Sequence, residues 1–110
     1  MSAVLAAAPI HLLQQRLGSH ADERETSIML AIMSPLVRVD RSREPPPGIF
    51  TTPTTMQSLD ASASDCSATG AFGDPTLASA EKGRALLDAM IEDLVQGLLA
   101  LFPDLAQRAP

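Results

Sequence analysis

Apolar side chains recur every three or four positions through the last third of the chain. Leu86, Leu87, Met90, Ile91, Leu94, Val95, Leu98, Leu101 and Phe102 keep that rhythm, while Arg84, Asp88, Glu92, Asp93 and Gln96 take the opposite face. The pattern predicts an amphipathic helix from about Ser79 to Phe102, opened by the turn Gly73-Asp74-Pro75 and stopped by Pro103. A second helix is predicted over about Asp22 to Met33. Its first turn is acidic, which suits the positive end of the helix dipole. Ile28, Met29, Ile32 and Met33 form a broad stripe, and Leu30 and Ala31 fill much of the other side. Such a helix is expected to be buried on most faces. It ends before Pro35. Upstream, Ser2 to Leu17 reads as an alanine-rich helix in two pieces. Pro9 stands at the first turn of the second piece, Gly18 stops it, and Ile10, Leu13 and Leu17 lie at helical spacing.

Between Asp40 and Gly73 the periodicity disappears. "SREPPPG" is stiff and extended, and "TTPTTMQSLDASASDCSATG" offers almost nothing to bury, so a long irregular loop is expected, poorly ordered over most of Thr51 to Thr69. The chain divides into a helical lead-in (1–17), a main segment (18–102) holding the loop 40–73, and a tail (103–110). Read from its residues alone it has two or three helices, the loop and little strand. The core material is thin: no Trp, no Tyr and three Phe in 110 residues. So small an assembly barely offsets its ordering entropy, and a larger partner surface is expected to cover the apolar helix faces.

The net charge of −5 excludes the clustered basic surface that nucleic acid or an anionic membrane requires. No apolar run approaches the ~20 residues of a membrane span. The N-terminus lacks the basic segment of a secretion signal, and the single cysteine, Cys66, fits a reducing compartment. A cytoplasmic protein is expected.

Chemistry concentrates in "GSHADERETS". His20, Asp22, Glu23, Arg24 and Glu25 crowd the start of the second helix. Imidazole and carboxylate together are the ligand set of zinc or manganese, yet no second histidine follows four residues on, as a metalloprotease helix would need. The alternative is structural: Asp22 or Ser19 caps the helix, and Glu25 pairs with Arg24 or a backbone donor. Elsewhere, Cys66 has no histidine near it in sequence, the glycines at 70, 73 and 83 do not make a phosphate loop, and Met29, Met33 and Met90 sit at packing positions.

"SHADERETSIMLAIMSPLVRVDR" resembles the signature block of the creatininase (creatinine amidohydrolase) family, which reads like His-Ala-Gly-x-x-Glu-Thr-Ser, then Leu-Met-Leu-Ala and Pro-x-Leu-Val. The matching residues are His20, Ala21, Glu25, Thr26, Ser27, Met29, Leu30, Ala31, Pro35, Leu36 and Val37. "GDPTLASAEKGRALLDAMIEDLV" is similar to the family's C-terminal Gly-x-Pro-x-x-Ala-(Ser/Thr)-x-x-Lys-Gly segment. The resemblance covers about Gly18 to Phe102. It implies an α/β fold with a parallel sheet, a pair of divalent metals (zinc or manganese), and hydrolysis of a small non-peptide amide C–N bond. It makes His20 the proton donor or acceptor, with Glu25 facing the same site as a metal ligand or water positioner. The departures are equally definite. The Glu-x-His pair, the following Asp and the Gly-Asn-x-His stretch that supply the family's metal ligands are absent, residues 1–17 hold no acid, and Asp22 replaces a glycine. The expectation is therefore the C-terminal portion of a creatininase-like enzyme, an incomplete parallel-sheet α/β domain that binds no metal alone. It would be completed by an N-terminal counterpart or by self-association. A non-catalytic helical remnant or interaction module is the alternative.

Overall fold

A computed structural model describes residues 10–15, 20–44 and 67–108. Two packed helices dominate: α1, Glu23–Met33, and α2, Ala80–Leu101, followed by a short α3, Leu105–Arg108. Single 3-10 turns lie at Ile10–Leu12, Ser34–Leu36, Val39–Arg41 and Pro75–Leu77.

Local chemistry fixes the helix ends. The Asp22 carboxylate accepts the Glu25 N–H at 2.8 Å and so caps α1. The Ser79 hydroxyl accepts the Lys82 N–H at 3.2 Å and caps α2. Asp74 accepts the Thr76 N–H at 3.0 Å ahead of Pro75, shaping the turn that leads into α2. At the far end, the Phe102 N–H closes on Leu98 O at 2.8 Å before Pro103 halts the helix.

The two long helices meet through small and polar groups. Gly83 of α2 lies directly on the α1 backbone: a Cβ there would stand 1.8 Å from the Ser27 carbonyl oxygen. Ser27 is buried; its hydroxyl donates to Glu23 O and accepts the Ser79 N–H at 3.1 Å, stitching the helices together. Leu86 and Phe72 are the fully buried apolar side chains among the described residues.

The expected burial of the α1 stripe is not what the structure shows. Glu23 and Ser27 are the buried residues of α1, whereas Met29, Ile32 and Met33 are exposed. The cause is geometric. Close backbone approach at Gly83 needs small neighbours, so the Ser27 side of α1 faces α2 and the bulky apolar side is turned away. On α2, the single stripe read from the sequence divides. Leu86 packs inward, while Ile91, Leu94, Val95, Leu98, Leu101 and Phe102 remain exposed. At 1.5 Å rise per residue the 11 residues of α1 span only about half the length of the 22-residue α2, so much of α2 lies beyond it.

Of the two-piece helix read over Ser2 to Leu17, residues 2–9 and 16–17 lie outside the described residues, and within these it is the one turn Ile10–Leu12. The reason lies downstream: the N–H groups of Gln14 and Gln15 are taken by the Glu23 carboxylate instead of by a helical ladder. Most of the long loop, including Cys66, lies outside the described residues. Its C-terminal end, from Ser67, forms a turn and then an antiparallel bridge between Phe72 and His20.

Candidate functional site

His20 sits at the mouth of α1, held by its main chain. Its N–H donates to Phe72 O at 3.3 Å, and its carbonyl accepts the Phe72 N–H at 2.7 Å. Phe72 is buried and anchors the pair, while His20 is exposed. Ala21 then turns the chain with φ 48°, a left-handed conformation that is unfavourable for a residue with a Cβ. Two carboxylates hold this turn. Glu25 reaches back to accept the Ala21 N–H at 2.7 Å, and Asp22 caps the helix. The arrangement is close to a capping box.

The structure thus brings the sequence-predicted residues together through a shared peptide: Glu25 binds the N–H immediately following His20. Beside them lies an open groove of about 330 Å3, with Ala21, Glu25 and Thr26 at its polar end and Met29, Leu36 and Val37 along its apolar wall. Such a groove offers an apolar surface and a carboxylate to a small ligand; His20 precedes the lining residue Ala21 in the chain and is not itself part of the lining.

Beneath this rim is a buried polar cluster that the sequence reading did not single out. Glu23 has no exposed surface. Its carboxylate accepts the Gln14 N–H at 2.9 Å, the Gln15 N–H at 2.7 Å and the Lys82 ammonium at 2.6 Å. Burial by itself would raise the Glu23 pKa. The hydrogen bonds from Gln15, Lys82 and Gln14, with the charge of Lys82, outweigh it and hold the carboxyl below its ordinary value. Lys82 also donates to Gln14 Oε1 at 2.8 Å and Leu77 O at 2.6 Å, so all three of its protons have acceptors. The Gln15 carboxamide completes the cluster. It accepts the N–H groups of Glu23 at 3.1 Å and Asp74 at 2.9 Å and donates to Asp22 Oδ2 at 2.6 Å. The sequence carried one hint, the Lys82-Gly83 pair inside the second block. Nothing in the spacing linked it to an acid 59 residues away.

Among the described residues, no three His, Cys, Asp or Glu side chains converge as a metal site would require. The neighbouring acids are committed instead: Asp22 and Glu25 to backbone N–H groups, Glu23 to Lys82. These residues do not by themselves fit the divalent metals that the resemblance implies.

The family model of creatinine amidohydrolase matches residues 3–98. The chain belongs to the creatininase family. Two Mycobacterium tuberculosis strains each have a relative described as mycofactocin precursor peptide peptidase, 34% identical over 88 residues, covering 76% of this chain and 33% of the relative. Among solved structures, a mutant creatininase complexed with creatine aligns with 94% of the chain at a TM-score of 0.68 and 27% identity, and the match covers 39% of that protein. A structure described as creatininase Mn aligns with 74% of the chain at a TM-score of 0.59 and 28% identity, covering 31% of that protein. This creatininase-family chain therefore spans about a third of the length of the relatives it matches. The mostly helical architecture of the described residues, with little strand, is consistent with an incomplete part of their α/β fold. The family is of the amidohydrolase type, and the manganese-bearing relative associates a divalent metal with it. No helix among the described residues is long and apolar enough to cross a membrane.

Proposed function

We propose that the chain supplies the proton-transfer wall of a creatininase-family amidohydrolase that cleaves a small amide C–N bond, with the metal ligands carried by the part of the family fold outside these 110 residues. The observation that carries the reading is the family match over residues 3–98, which spans His20 and the turn that presents it. His20 is the proposed proton donor. An amide nitrogen departs as an amine only when protonated, and an exposed imidazole, one residue before the groove-lining Ala21, is suited to that step. Glu25 is the proposed positioning residue, acting through the peptide that follows His20. The two matching descriptions, creatinine amidohydrolase and a precursor peptide peptidase, share that bond chemistry. This motivates the choice of substrate class.

The test measures bound zinc and manganese, and hydrolysis of creatinine and of short peptide amides. Samples are the chain alone and the chain mixed with the N-terminal two-thirds of a creatininase relative. Metal uptake and turnover in the mixture are expected, with His20→Ala lowering the rate ~10²–10⁴-fold. Absence of metal and of turnover in both samples removes the proposal.

One observation favours a second reading. Met29, Ile32, Met33 and the outer half of α2 leave a broad apolar surface exposed, as in an interaction or self-association module without catalysis. Light scattering separates this reading: a compact, monodisperse monomer that melts cooperatively counts against it.

A further inference from the structure

The bridge that presents His20 is a single pair of residues, and so short a pairing is marginal by itself. A side chain extends it. Gln15 Oε1 accepts one N–H from each of the two paired segments, Glu23 on the His20 side and Asp74 on the Phe72 side, and Gln15 Nε2 donates to Asp22. The carboxamide thus stands where a further rung of backbone would stand, offering the same acceptor and donor groups as a peptide. The fit is close. A Cβ on Gly73 would lie 2.8 Å from Gln15 Oε1 and 2.3 Å from Asp22 Cβ, and Gly73 has φ 152°. Gln15 is fixed in turn, because its own N–H is bound by Glu23 and Glu23 is bound by Lys82 of α2. A continuous hydrogen-bonded path runs from α2 through Lys82, Glu23 and Gln15 to the segment bearing His20.

We propose that Gln15 is a positioning residue for His20. Its carboxamide locks the two segments that present the imidazole, while its main-chain N–H is held by the carboxylate of the buried Glu23–Lys82 pair. The catalytic meaning of this rests on the proposed role of His20; the positional claim does not. Gln15 lies outside the sequence block that contains His20, so the presentation of the imidazole depends on a segment that contributes no group to the groove.

The experiment compares the full chain with Gln15→Met, which keeps length and volume but removes the carboxamide. A milder variant, Asp22→Asn, keeps the cap on α1 and breaks only the bond from Gln15 Nε2. Amide hydrogen exchange is read at His20, Phe72, Leu86 and Met90, and the His20 imidazole resonance is followed by NMR, told from His11 with a His11→Gln reference. The expected result is exchange about tenfold faster at His20 and Phe72, the size of one or two lost hydrogen bonds, with a moved imidazole signal. Leu86 and Met90 in α2 stay within about twofold of their original rates. Asp22→Asn gives the same local pattern, smaller. Unchanged His20 and Phe72 in both variants overturns the proposal. So does a loss of protection shared equally by Leu86 and Met90, since Gln15 would then contribute only general stability. If the positional result holds while His20→Ala leaves turnover in the reconstituted enzyme intact, the proposed catalytic role alone falls.

Discussion

Replacing Gly83 by alanine sets two physical effects against each other at one position. Helix propensity favours alanine over glycine in a helix interior by about 1 kcal/mol. The packing opposes it. The added Cβ would lie 1.8 Å from the Ser27 carbonyl oxygen, 2.4 Å from the Ser27 carbonyl carbon and 2.9 Å from the Ile28 nitrogen. All three are backbone atoms of α1, so no rotamer change relieves the clash. Ordinary contact lies near ~3.5 Å, which requires the helices to part by roughly 1.5 Å. Parting them stretches the Ser79 N–H to Ser27 Oγ bond and the Lys82 to Glu23 pair, now 3.1 Å and 2.6 Å. Overpacking costs about 1–3 kcal/mol, and losing the part-buried Ser79 to Ser27 hydrogen bond adds about 1 kcal/mol. The net expectation is destabilisation of about 2 kcal/mol, read as a lowered urea midpoint by circular dichroism at unchanged slope. Gly97→Ala is the internal control. Gly97 is exposed on the same helix, and a methyl group added there would meet nothing within 4 Å, so the propensity gain of about 1 kcal/mol should emerge alone. If Gly83→Ala is as stable as the parent while Gly97→Ala is stabilised, the close helix crossing is refuted.

Lys82→Met should cost about 3–5 kcal/mol in denaturant titration, because it leaves the fully buried Glu23 carboxylate without its cation. The pH response follows from the same residue. The folded pKa of Glu23 lies below its unfolded value, so its contribution is fully present above the unfolded pKa and disappears as pH falls through the folded one. Acid titration of stability should show that loss in the parent and a flatter profile in Glu23→Gln. Asp22→Ala should lower stability by about 0.5–2 kcal/mol through loss of the α1 cap, measured by the same denaturant titration. Ser79→Ala should do the same for α2.

The elements that sequence made legible are those governed by local rules. α2 begins and ends within a residue of the range set by its apolar rhythm, its Ser79 cap and Pro103. Asp22 caps α1, and Glu25 bonds a backbone donor, as the structural reading of the charged cluster anticipates. What sequence concealed is long-range. Glu23 looks like one more solvated acid in a first helical turn until Lys82, 59 residues on, is seen against it. The orientation of α1 was equally hidden. Hydrophobic spacing says which side of a helix wants burial, but which side meets α2 was decided by the absent side chain at Gly83. The helical turn near Leu12 stops short because Glu23 captures the next two N–H groups, a competition invisible to any window of neighbouring residues.

A helix pair joined by glycine, serine and an ion pair, with little oil between its members, has a thermal signature. The heat capacity released on unfolding comes chiefly from hydrating apolar surface, about 12–15 cal/mol/K per residue in ordinary domains. Here the described residues fully enclose only Phe72 and Leu86 among their apolar side chains. Calorimetry of the chain by itself should therefore give a heat-capacity increment well below that norm and a shallow stability curve. The missing increment should reappear as a strongly negative heat-capacity change when a surface that covers Met29, Ile32 and the outer half of α2 is titrated in.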